Sequence, residues 1–193
     1  MKRIALVLIA LLLSACSGIA NHPPRNPHNL CDIYSQQKGW RKAVNRTSMR
    51  WGVPSAILMS IIYHESSFIA EARPPYKKTP FSFYKKRIST AYGYAQALDG
   101  TWEEYLDLTR RYGAKRNNFA DAVEFVGWYS HQSYKRSNIS KRDAYRLYLA
   151  YHEGHAGYNR ASYRRKPWLL KVARRVQDRS RLYARQLSRC RYR

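Results

Sequence analysis

Glu65 is the residue whose type and spacing point most directly to chemistry. It stands in the run Ile61-Ile62-Tyr63-His64-Glu65-Ser66-Ser67-Phe68, seven residues after Leu58, four after Ile61 and three after Ile62. On a helix those spacings put its carboxyl on the apolar, inward face. The helix is expected to end at Ser66 or Ser67, which places the carboxyl near the negative end of the helix dipole. Burial and that dipole both raise a carboxyl pKa. A carboxyl that keeps its proton near neutral pH is what a general acid acting on a glycosidic oxygen requires. Taken alone, the segment also allows a structural glutamate, partly exposed or paired with one of the 36 Lys and Arg side chains.

The elements that must hold this carboxyl read mostly as helices. Trp40 to Arg50 forms one, stopped by Gly52, and Pro54 suits the first turn of the helix that carries Glu65. Residues 70–90 lack periodicity and contain Pro74, Pro75 and Pro80, so they read as a long loop. In that loop Phe81, Phe83 and Tyr84 suit stacking on sugar faces, and Lys77, Lys78, Lys85, Lys86 and Arg87 suit carboxylates; a plain solvated loop is the alternative. Thr101 with Glu104 reads as a capping box opening a helix that ends at Gly113. A further helix runs from Asn118 to about Arg136. Ser140 with Asp143 reads as a second capping box, for a helix ending near His152 before Gly154. Pro167 opens a last helix, densely basic on one face. Trp102, Tyr105, Trp128, Tyr129, Tyr145 and Tyr148 fall at packing spacings and read as core. No set of alternating strands appears, so the fold class is mainly α.

Three segments together carry a family resemblance. Trp51 to Phe68 resembles the opening of the catalytic domain of soluble-type lytic transglycosylases, relatives of goose-type lysozyme. Ala91-Tyr92-Gly93-Tyr94-Ala95-Gln96 resembles that family's Gly-Leu-Met-Gln element. Ala150-Tyr151-His152-Glu153-Gly154, followed by Gly157 and Tyr158, is similar to its Ala-Tyr-Asn-x-Gly element. The resemblance implies a single lysozyme-like helical domain with a catalytic cleft. It implies Glu65 as the catalytic acid and base, with Tyr151 reaching its carboxyl. It implies Ser66, Tyr94, Gln96, His152 and Gly154 as substrate-binding positions. The substrate would be peptidoglycan glycan strands, cut between N-acetylmuramic acid and N-acetylglucosamine with formation of a 1,6-anhydro ring, and no cofactor or metal would be needed. The sequence departs from the family where His152 replaces the usual Asn and Tyr94-Ala95 replaces Leu-Met. A lysozyme-like hydrolase, with a carboxylate such as Asp99 across the cleft, and a non-catalytic wall-binding protein are the alternatives.

The flanks bear on location. Lys2 and Arg3 precede the unbroken apolar run Ile4 to Leu13, about half of what a membrane-spanning helix needs. Leu13-Ser14-Ala15-Cys16 resembles the lipobox of bacterial lipoproteins. Residues 1–15 are therefore expected to be a signal peptide, Cys16 a lipidated residue and 16–30 a tether. The domain would then occupy 31–193, in an outer-membrane lipoprotein facing the periplasm. Cys31 and Cys190 remain to pair in an oxidising compartment, closing a loop worth about 4–5 kcal/mol in the chain-entropy treatment. The net charge of +24 favours polyanionic partners; export favours the cell wall and membrane headgroups over nucleic acid. A monomer is expected.

Overall fold

A computed structural model describes residues 22–77 and 87–190. Seven α-helices follow one another among them: α1 (Leu30–Gln36), α2 (Trp40–Trp51), α3 (Ser55–Ser66), α4 (Asp99–Thr109), α5 (Phe119–Ser137), α6 (Ala144–Asn159) and α7 (Pro167–Leu187), with a 3₁₀ turn over Ser162–Arg165. No strand forms among the described residues, where only two isolated bridges occur, Tyr76 to Arg87 and Tyr92 to Ala97. The fold is mainly helical, as the sequence indicated.

The boundaries follow local chemistry. Gly52 ends α2 and Ser67 ends α3, both in left-handed conformation. Asn118 caps α5 by accepting from the Ala120 and Asp121 amides. Two expected caps are corrected. α4 starts at Asp99, two residues before Thr101, and stops at Thr109, short of Gly113, so Thr101 lies inside its first turn. The N-cap of α6 is Asp143 itself, which accepts from the Arg146 amide, and not Ser140.

α3 forms the centre. It packs against α2, α5 and α7, so Ala56 to Ile62 are all buried, whichever face they occupy. The core is strongly aromatic. Trp40 stacks on Phe119 with ring centroids 3.6 Å apart, and Tyr94 meets both edge-on. Buried Glu124 accepts from Thr47 Oγ1 at 2.8 Å and Trp51 Nε1 at 3.0 Å and pairs with Arg50 at 2.9 Å. It thereby clamps α2 to α5, a role its sequence context did not suggest. α7 buries Leu169, Ala173, Val176, Ser180 and Tyr183 at helical spacing and turns its arginines outward.

The N-terminal segment differs from expectation. Residues 22–29, expected to belong to a polar, extended tether over 16–30, make contacts with the domain. Pro24 is buried. The Pro27 carbonyl accepts from the Tyr183 hydroxyl and the His28 carbonyl from Gln186 Nε2, while the Leu30 amide donates to Gln186 Oε1 at 2.9 Å. Cys31 and Cys190 are joined in a disulfide, Cα–Cα 5.6 Å, which fixes α1 to the end of α7. The signal-like run and Cys16, together with residues 78–86 of the long loop, lie outside the described residues. Among the described residues no helix is long and apolar enough to cross a membrane.

Candidate active site

Glu65 is the last residue but one of α3. Its carboxyl is partly buried, and the loss of solvation raises its pKa from 4.5 to about 7. A hydrogen bond from the Tyr148 hydroxyl works against that rise. Burial and the neighbouring Glu65 charge push both Tyr148 and Tyr151 well above the ordinary tyrosine range, so both stay protonated donors.

The two tyrosines lie one turn apart on α6. Tyr151 stands beside Glu65 but gives its hydroxyl proton to the Ala95 carbonyl at 2.6 Å. The residue hydrogen-bonded to the carboxyl is therefore Tyr148, which the sequence reading assigned to the core; Tyr151 was expected in that role. Tyr148 is both: 5 % exposed and in contact with the candidate acid. The three-residue spacing between Tyr148 and Tyr151 was the signal that both share a helix face.

The loop carrying Gln96 is built around Gly93. Its φ of +80° and the Arg116 carbonyl only 2.1 Å from where a Cβ would stand leave room for glycine alone. The loop is tied down by the Gly93 amide to the Ala72 carbonyl at 3.0 Å and the Tyr94 amide to the Arg116 carbonyl at 3.2 Å. Gln96 Nε2 donates to the Ala72 and Gly93 carbonyls, each at 2.8 Å, which engages both of its amide hydrogens. Gln96, Tyr129, Tyr151, His152, Glu153 and Gly154 line a cavity of about 200 Å³. Glu65 does not line it, whereas its neighbour Tyr151 does.

Gly154 breaks α6 with φ +71° and ψ 159°, a region open essentially to glycine. Nothing lies within 4 Å of a Cβ there, so the backbone angle and not space selects the residue. The kink turns His152 and Glu153 to the cavity edge. Burial works against charge on Glu153, but hydrogen bonds from Lys166, Ser162 and His152 prevail and hold its pKa down to about 2. Lys166 Nζ lies 2.7 Å away, and Ser162 Oγ is also bonded to it. Glu153 is thus a charged post joining the kink to the start of α7. His152 packs edge-on to Trp168.

One expected substrate contact is corrected. Tyr94 is 2 % exposed and wedged among Trp40 and Phe119, so it is core. Ser66 is buried, and its hydroxyl donates to the Ile62 carbonyl at 3.2 Å within its own helix. Asp99, the carboxylate considered for a hydrolase, is paired with Arg116 at 2.7 Å. Among the described residues no cluster of His, Cys, Asp and Glu could hold a metal ion.

A family model described as Transglycosylase SLT domain matches residues 4–190 of the chain. No curated protein matches it.

Proposed function

The chain belongs to the transglycosylase SLT domain family, and from that premise we propose that it is a peptidoglycan lytic transglycosylase with Glu65 as its acid and base. The observation that carries this reading is the Glu65 carboxyl: partly buried, raised to about 7, and hydrogen-bonded by Tyr148 beside Tyr151. A group with that pKa gives and takes a proton near neutrality.

Protonated Glu65 donates to the oxygen linking N-acetylmuramic acid to N-acetylglucosamine. The C1–O bond breaks, the departing sugar leaves with a hydroxyl, and the substrate's own acetamido group supports the cation at C1. Glu65, now a carboxylate, removes the proton of the muramoyl 6-hydroxyl. That oxygen closes on C1, forming the 1,6-anhydro ring and restoring the acid. Tyr148 orients the carboxyl and moderates its charge. Tyr151, held by Ala95, and Gln96 shape the adjoining cavity, with His152 and Gly154 at its edge. Two-carboxylate hydrolysis needs a second free carboxylate across the bond. Glu153 is engaged by Lys166, Ser162 and His152, and Asp99 by Arg116, which favours the intramolecular route.

The enzyme works at the outer membrane, facing the periplasm, as a monomer anchored through Cys16. The apolar run ending in Leu-Ser-Ala-Cys and the Cys31–Cys190 disulfide support this. Purified walls treated with the protein in heavy-oxygen water test the reaction. Anhydro-ended fragments without label are expected, and none with Glu65→Gln. Labelled reducing ends identify a hydrolase, and no fragments at all would overturn the enzyme reading.

A further inference from the structure

A further cavity, about 590 Å³, is lined by residues from the segments that flank the Gln96 loop. Four cations line it, Arg73, Lys77, Arg87 and Arg116, against the single carboxylate of Asp99. Asp99 is already neutralised by Arg116, and none of the other three cations is paired with a carboxylate among the described residues. Its parts are held in place. Tyr92 lies under both Arg73 at 4.0 Å and Arg116 at 5.4 Å. Arg87 donates to the Pro74 carbonyl at 2.6 Å and the Tyr76 hydroxyl at 3.2 Å. Arg116 donates to the Ala97 carbonyl at 2.9 Å. One short stretch of chain borders both cavities: Asp99 lines this one, and Ala97, Leu98 and Thr101 line the one that Tyr151 borders.

A positively charged pocket with planar guanidinium donors recognises carboxylates. Its size lies within the usual range for ligand sites, roughly 300–1,000 Å³. The polymer assigned to the neighbouring cavity carries carboxylates a short reach from the sugar, on the peptides attached to N-acetylmuramic acid. We propose that this basic cavity is a peptide-carboxylate subsite, through which the enzyme selects glycan strands that still bear their stem peptides. The proposal rests on the glycan-cleaving reading above.

The test compares two substrates, intact walls and glycan strands stripped of peptide by an amidase. Each is given to the wild-type protein and to the Arg73→Gln/Lys77→Gln variant, whose replaced side chains are exposed. Wild type is expected to cut peptide-bearing strands with the higher kcat/KM. The variant is expected to lose about tenfold on these, the scale of one charge-assisted hydrogen bond, and far less on stripped strands. Equal losses on both substrates, or no loss on either, would overturn the subsite while leaving the cleavage reading intact. A wild-type protein inert on both substrates would instead remove the premise, and the subsite with it.

Discussion

Replacing Glu65 by Gln should abolish cleavage and at the same time stabilise the protein at alkaline pH. The carboxyl has a pKa of about 7 in the fold against 4.5 in the unfolded chain. At about 1.4 kcal/mol per unit, that difference is about 3 kcal/mol. The folded state holds the proton more tightly, so its advantage is complete below pH 4.5. It is lost progressively as pH rises to about 7, and above that the ionised carboxyl bears the full penalty of partial burial. Glu65→Gln cannot ionise and keeps a group to which Tyr148 can donate. Thermal unfolding of both proteins at pH 5 and pH 8 measures the effect. The variant should be close to wild type at pH 5 and more stable at pH 8, by up to about 3 kcal/mol, or about 6–12 °C in Tm for a chain of this size. Parallel pH dependences in the two proteins would refute the placement of a proton-loaded carboxyl at this position, whatever the activity result.

Tyr148→Phe removes the hydrogen bond that favours the charged form of Glu65, so the alkaline limb of the pH–activity profile should move upward from near pH 7; a profile that stays fixed counts against the contact. Gly154→Ala should cost about 1–3 kcal/mol through backbone strain at φ +71°. It should also lower activity by moving His152 and Glu153, read from denaturant unfolding beside wall-clearing rates. Reducing the Cys31–Cys190 bridge, which spans 159 residues, should cost up to about 4–5 kcal/mol, measured as the shift of the unfolding midpoint with and without dithiothreitol.

Local rules made much of the framework legible. The apolar spacing of Ile57, Leu58, Ile61 and Ile62, the stop at Gly52 and the opening at Pro167 act within a turn or two of chain, and so they mark α2, α3 and α7 in the sequence. The inward position of Glu65 followed from its spacing, although the reason is broader than a single stripe: α3 is covered by α2, α5 and α7. Which tyrosine meets the acid was not legible. Tyr148 and Tyr151 share one helix face, and their assignment turns on the rotation of α6 against α3, a matter of a few ångströms. The same holds for Tyr94, whose expected sugar-contacting role gave way to packing. The docking of residues 22–29 and the Glu124 clamp join residues far apart in the chain. So does the basic cavity, where Arg73, Arg87 and Arg116 converge. Periodicity, caps and turns are short-range properties written in neighbouring residues; the partners of a buried carboxyl are set by how whole helices cross, which no short stretch of chain encodes.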